Sequence, residues 1–274
     1  MVDLPHDRIV APQPIAADLA DVSPGADVIS ISRNTKGLFR LPEYRNLRRV
    51  WTTGLDAQTL TVVSSLPELR ELVVYEYRER DLTAVARATA LESLAVWYAP
   101  RLRSLAGVEH LRGLRELIVG DVRGPLPLDE VASLASLETM SMEGGMWRPL
   151  AVPSLQPLAS LERVERLRIA SIKVEDQSLA PLRGLSRVRD VFIANQFTLE
   201  EFARLAAAWP EVKSESLHPV RPAGIECGKC RGKRTVLLTG GRGLKCDTCD
   251  APAIDRHIAR FERELKSTHV VRTR

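Results

Sequence analysis

The sequence predicts an α/β solenoid of parallel strands and 3-10-type turns, followed by a small four-cysteine domain. Three observations point there. A spaced triplet of apolar residues recurs at a nearly constant interval through most of the chain. The apolar residues leading into each triplet fall at every third position, not at the 3.6 spacing of an α-helix. All four cysteines of the 274 residues stand in two Cys-x-x-Cys pairs near the C-terminal end.

The triplet is an apolar residue, two others, a second apolar residue, one other and a third. It reads Leu47-Val50-Thr52, Leu69-Leu72-Val74, Leu91-Leu94-Val96, Leu114-Leu117-Val119, Leu137-Met140-Met142, Val164-Leu167-Ile169 and Val188-Val191-Ile193. Val28 and Ile31 make a degraded first copy, and Val212 opens a degraded last one. Counted through Val212, successive starts are 22, 22, 23, 23, 27, 24 and 24 residues apart, a period and spacing that carry the leucine-rich-repeat signature. The last two apolar positions of each triplet alternate as a strand does. Runs such as Leu102, Leu105, Val108, Leu111 and Leu155, Leu158, Leu161, Val164 suit a 3-10 turn, where i and i+3 eclipse. Each repeat therefore reads as a convex 3-10-like segment and a short parallel strand. Stacking buries faces that no single repeat can bury alone.

These residues, and segments such as 178–186 (SLAPLRGLS), resemble the short, roughly 22-residue class of leucine-rich repeats found in phosphatase-regulator-like and bacterial internalin-like proteins. The resemblance covers about Leu47 to Leu217. It implies a horseshoe whose concave face is a parallel sheet, a face usually used to bind other proteins. The family's consensus also places an Asn three residues after the third apolar position. Here that position holds Leu55, Tyr77, Ala99, Val122, Gly145, Ile172 and Gln196, so the Asn ladder is missing.

An end repeat exposes core and needs a cap. The sequence divides into a loose segment 1–24, an N-terminal cap 25–46, repeats over 47–218, a linker 219–224 and a C-terminal domain 225–270. Ala26 to Ser32 reads as a capping strand, with Phe39, Leu41 and Tyr44 covering the first repeat. Thr198-Leu-Glu-Glu201 is a capping box opening a helix over about 198–209, with Leu199, Phe202, Leu205 and Trp209 on one face.

Cys227, Cys230, Cys246 and Cys249 have the spacing of a zinc site, two knuckles presenting four thiolates to one tetrahedral ion. Thr235 to Thr239 reads as a strand, Gly240 to Gly243 as a turn and Leu244 to Cys246 as the return strand, which resembles a zinc ribbon. Four protein ligands leave no open position, so one structural zinc per chain is expected; two disulfides and a redox pair are the competing readings. A helix follows from Ile254 to Lys266, with Ile254, Ile258, Phe261 and Leu265 on one face. Stability is expected to divide at the linker, with the ribbon unfolding on its own when metal is removed.

For function, every second strand residue faces out of the concave sheet. Trp51, Tyr75 and Trp97 fall there on adjacent strands, with Tyr98 beside them and Phe192 further on. Rings outside a core suggest a protein-binding surface and are expected to be solvent-accessible. The alternative is that the N-terminal cap folds over them, or that they pack on one another. The 27-residue interval marks an insertion around Glu143 to Pro153 whose Trp147 could add to the same surface. From Gly224 onward there are twelve Lys/Arg and six Asp/Glu, +6, which leaves 27 basic and 29 acidic residues, −2, for the rest. Lys229, Arg231, Lys233, Arg234 and Arg242 are therefore candidate nucleic-acid contacts, although stacking aromatics are missing from the ribbon.

Neither a glycine-rich phosphate loop after a strand nor a triad or metal spacing among the five histidines supports an enzyme. No apolar run is long enough to cross a membrane, and the first twenty residues lack the apolar stretch of a signal peptide. Arg outnumbers Lys by 32 to 7, as GC-rich bacterial genomes favour. The resulting expectation is a cytosolic bacterial scaffold or adaptor that holds a protein on its concave face, with no small-molecule substrate. A nucleic-acid-associated module and an immunity-type inhibitor of a toxin are the alternatives.

Overall fold

The computed structural model describes residues 9–145, 148–232, 234–241 and 243–272. Eight strands form one parallel sheet: β1 (Val28–Ser32), β2 (Arg49–Thr53), β3 (Glu71–Tyr75), β4 (Ser93–Trp97), β5 (Glu116–Gly120), β6 (Thr139–Glu143), β8 (Arg166–Ala170) and β10 (Asp190–Ile193). The register keeps equivalent residues level, so Val50, Leu72, Leu94, Leu117, Met140, Leu167 and Val191 form one row. That row and the row two residues on face the core, and both are buried throughout. Thr52 sits among them with its hydroxyl donating to the Val73 carbonyl at 2.9 Å.

The convex side is built of 3-10 turns, among them Val108–His110, Asp129–Ser133, Gln156–Ser160 and Ala180–Gly184. One connection departs from the expected turn. Between β2 and β3 the chain forms a true α-helix, α1 (Ala57–Ser64). Asp56 caps it by accepting from the Thr59 amide at 2.8 Å, and 57–65 contains neither proline nor glycine to interrupt it. The long fifth interval also yields more than a loop. Its end is a strand, β7 (Leu150–Val152), which pairs in parallel with β9 (Ile172–Val174) as a second small sheet.

The missing Asn ladder is replaced by backbone. The residue after five of the eight strands turns left-handed: Gly54 (φ 67°), Glu76 (54°), Tyr98 (55°), Asp121 (50°) and Ser171 (48°). The amides of Gly54, Glu76, Tyr98 and Asp121 then donate to the carbonyls of Tyr75, Trp97, Gly120 and Glu143 at 3.0–3.1 Å. This turn sends the next side chain inward, which is why Leu55, Tyr77, Ala99, Val122 and Ile172 are buried where the consensus has Asn. Only the last copy uses an amide side chain there, the Gln196 carbonyl oxygen accepting from the Ile172 amide at 3.1 Å.

Both ends of the sheet are closed. At β1, the Ala16 amide donates to Ser30 O at 2.8 Å and Gln13 Nε2 to Val28 O at 2.7 Å. Within the described part of 1–24, Leu19 opens a 3-10 turn, Leu19–Asp21, and is fully buried, its carbonyl accepting from the Tyr44 hydroxyl. Leu41 and Tyr44 cover the first repeat as expected, but Phe39 does not. It is 85% exposed, because the left-handed Gly37 starts the turn Leu38–Glu43 with Leu41 inward.

At the other end, Ser216 Oγ accepts from the Ile193 amide at 2.9 Å and Ser214 Oγ donates to Val191 O at 2.6 Å. The helix α2 (Leu199–Ala208) buries Leu199, Phe202 and Leu205, with Thr198 accepting from the Glu201 amide as the capping box requires. Glu201 itself reaches into the preceding repeat, accepting from the Leu179 amide at 2.5 Å and from Arg183 at 2.9 Å.

The four-cysteine domain is docked on this end. Within the expected linker, Val220–Pro222 is a strand, β11, paired antiparallel with β12 (Thr235–Leu238), which pairs with β13 (Leu244–Cys246). Arg221 in β11 is buried because its guanidinium donates to Ile193 O and Ser216 O, both at 3.0 Å, and lies over the Phe202 ring. The final helix α3 (Ala251–Arg272) is longer than expected and packs on α2, bringing Phe261 into the solenoid core. Arg260 pairs with Glu200, and Arg204 with Glu264 at 3.7 Å.

Candidate metal centre and concave surface

The sulfurs of Cys227, Cys230, Cys246 and Cys249 all lie within 4.8 Å of one another, with Cys230 and Cys246 3.6 Å apart. Four sulfurs at about 2.3 Å from a tetrahedral ion stand about 3.8 Å apart, so the set is close to the size required. Its first knuckle folds because Arg231 adopts φ 61°, letting Cys227 N donate to Gly232 O at 2.8 Å and Arg231 N to Cys227 O at 2.9 Å. The second is pinned by Asp250, whose carboxylate accepts from Cys246 N at 3.0 Å while its own amide donates to Cys246 O at 2.9 Å.

Local dipoles already favour a thiolate. The Cys230 and Lys229 amides, aimed at Cys227 Sγ, bring that thiol down to about 7. Hydrogen bonding to Cys230 first, then burial and hydrogen bonds to Cys246 and Cys227, hold Cys249 as a neutral thiol and push it up to about 12, so the four sulfurs resist ionising together. A soft divalent cation removes that conflict by binding all four. The four-sulfur donor set fits a resident metal.

The cations around the knuckles each face a carboxylate. Lys229 lies 3.8 Å from Asp250, Arg231 3.0 Å from Glu226 and Arg234 2.6 Å from Asp247. Lys233 and Arg242 lie outside the described residues. The three described side chains thus present paired charge rather than an open basic stripe.

On the concave face, the Trp51 and Tyr75 rings stack at 5.9 Å and 22°, and Tyr75 continues to Tyr98 at 6.2 Å and 29°. Tyr98 joins from beyond the strand because its left-handed backbone swings the ring back. Trp97 lies flat over Gly120, where a Cβ would meet the indole at 2.2 Å. Tyr75, Trp97 and Tyr98 are partly exposed, but Trp51 is only 7% exposed. The expected accessibility fails at Trp51, whose indole N–H donates to Ile9 O at 2.8 Å while Ile9 and Ala11 pack on the cluster it forms with Val73, Ala95 and Ile118. Phe192 is partly exposed under the Arg168 guanidinium at 4.5 Å, and Arg168 pairs with Glu143 at 3.4 Å. Trp147 lies outside the described residues. Strand alternation places Glu143 and Arg168 on the same concave face, but their pairing, across 25 positions of sequence, shows only in the structure.

The backbone matches an internalin of Listeria monocytogenes, with a TM-score of 0.55 and 17% identity over 70% of this chain and 54% of that one. The fold is a leucine-rich-repeat solenoid. A leucine-rich-repeat protein of Leptospira interrogans aligns with a TM-score of 0.48 and 17% identity, over 73% of this chain and 57% of that one. This chain therefore spans a little over half the length of these two proteins, and at such identity the likeness is one of fold. No protein-family model matches the sequence, and comparison with curated proteins finds no match. No helix among the described residues is long and apolar enough to cross a membrane.

Proposed function

We propose that this chain is a non-enzymatic binding scaffold whose concave face holds a protein partner. In this reading one zinc ion on Cys227, Cys230, Cys246 and Cys249 fixes a ribbon that closes the C-terminal end of the array. The observation that carries the binding role is the stack Trp51–Tyr75–Tyr98 with Trp97 beside it. These rings lie on the sheet face turned away from the main core, and three are partly open. Flat, rigid aromatics of this kind anchor interfaces. The zinc role is supported by the soft tetrahedral donor set, which leaves no coordination position for a substrate. Four reduced thiols suit a reducing compartment such as a bacterial cytosol.

The test is affinity capture from the native cell with the wild-type chain, Tyr75→Ala and Trp97→Ala. Each anchor is worth about 2 kcal/mol or more on truncation, so each variant should weaken a specific partner by roughly thirtyfold. Melting temperatures should change little, since neither ring belongs to the main core. A partner captured equally by all three chains refutes the assignment of the surface.

A further inference from the structure

The chain itself sits on part of its concave face. Ile9 and Ala11 lie against an apolar strip of Trp51, Val73, Ala95 and Ile118, a cluster separate from the main core. The Ile9 carbonyl accepts the Trp51 indole proton at 2.8 Å. Beyond this contact Val10 is 63% exposed, and residues 12–15 are all exposed. The chain is held again only from Gln13 onward, by Gln13 Nε2 to Val28 O, Ala16 N to Ser30 O and Thr35 Oγ1 to Ala16 O at 2.7 Å. This is the geometry of a strap touching the sheet at two places, with exposed Pro12 between them.

The chemistry of the strap matches what it covers. The segment 9–16 (IVAPQPIA) carries no charge. Its two prolines favour an extended, polyproline-like path and supply no amide protons to join a strand ladder. An indole N–H donating to a main-chain carbonyl, with flat rings alongside, is how aromatic-lined grooves take such segments. The strip runs on past Trp51 for three strand spacings, about 14 Å, the span of roughly four extended residues.

We propose that residues 9–11 are an intramolecular occupant of the concave face, and that the partner presents an extended, apolar segment which takes their place. This rests on the reading of the concave face as the binding surface. While the strap is seated, apparent affinity for that segment is reduced by the fraction of molecules in which it is open.

The experiment uses the full chain, Ile9→Asp and Gln13→Ala. Ile9→Asp sets a carboxylate against the apolar strip, whereas Gln13→Ala removes one tether and leaves the strip untouched. The readout is hydrogen exchange at the Trp51 indole N–H, identified by its loss in Trp51→Phe. Exchange should be slow in the wild type, intermediate in Gln13→Ala, and about tenfold or more faster in Ile9→Asp, with the solenoid's melting temperature preserved. The probe is a synthetic peptide of residues 9–16. It should shift the Trp51 indole resonance of Ile9→Asp at concentrations about tenfold below those needed for the wild type. Equal exchange in all three chains overturns the strap, and so does a collapse of the melting temperature in both variants, which would make the segment a structural cap. If the strap opens and the peptide moves no resonance, the proposed partner chemistry is wrong. The concave-face assignment is judged separately by the Tyr75 and Trp97 variants.

Discussion

Gly240 brings the ribbon's turn against the backbone of the solenoid's C-terminal helix. Its φ is 70°, and a Cβ there would stand 2.2 Å from Leu199 N and 2.6 Å from Thr198 C, both backbone atoms at the start of α2. Gly240→Ala therefore lifts the turn off the helix. Three hydrogen bonds depend on that contact: Asn195 Nδ2 donates to Leu238 O at 2.9 Å and Gly241 O at 3.1 Å, and Asn195 Oδ1 accepts from Gly240 N at 2.6 Å. Three bonds at about 1 kcal/mol net each come to about 3 kcal/mol. A left-handed alanine adds roughly 1 kcal/mol, for an expected loss of about 4 kcal/mol. Asn195→Ala should cost about 3 kcal/mol alone. Urea titration with metal present, together with amide exchange over 239–241, measures both. Because the two substitutions break one contact, the double variant should lose about 4 kcal/mol, not the sum of about 7. Additivity, or a Gly240→Ala chain within about 0.5 kcal/mol of wild type, would refute this account of the docking.

Three other expectations are open to direct measurement. Metal analysis of reduced protein should find one zinc per chain, and Cys246→Ser should lower that below half an equivalent. Chelation should speed amide exchange not only in the ribbon but in α2 and over Glu215–Leu217, because Arg221 and Phe261 tie these together; exchange confined to the ribbon would count against it. His257 is held below its ordinary value of 6.5, chiefly by burial, with Arg260 also lowering it and Glu200 and the carbonyls of Pro219 and Thr239 raising it. Its neutral form is the folded one, so its contribution is complete above about 6.5 and is lost as pH falls toward the folded value. His257→Gln should flatten that part of the stability–pH curve, and an unchanged slope would assign it elsewhere.

The repeat was legible because burial forces periodicity: each of the triplets from Leu69 to Ile193 lands on a strand or its approach, and the run Leu155, Leu158, Leu161 lands on a 3-10 turn. The cysteine cluster was legible because its ligands are local pairs. What stayed hidden depends on contacts distant in sequence or on backbone torsion. Nothing in the letters Glu76, Tyr98, Asp121 and Ser171 shares a property, yet all four take the same left-handed turn. Arg221 reads as a linker residue beside prolines until Ile193 and Ser216 offer it carbonyls. The aromatic positions were readable from alternation, and a cover by the N-terminal cap was the stated alternative; that the cover over Trp51 comes from Ile9, 42 residues away and ahead of that cap, was not readable. Stability was expected to divide at 219–224, but Val220–Pro222 in that stretch forms β11, and its pairing with the legible strand β12 could not be read past Pro219 and Pro222.

A sheet whose strands are all parallel and share one register is a template for its own growth. The edge that β1 offers to β2 has the same form as the edge that β10 would offer to the next molecule, and repeated head-to-tail joining builds an open filament. This chain stops that at both ends with short-range devices: Ala16 and Gln13 on one edge, and Ser214, Ser216 and Arg221 on the other. The ends are consequently indifferent to how many copies lie between them. Repeats can be duplicated or lost from the middle without exposing a polymerising edge, so the ends place no limit on the length of the array.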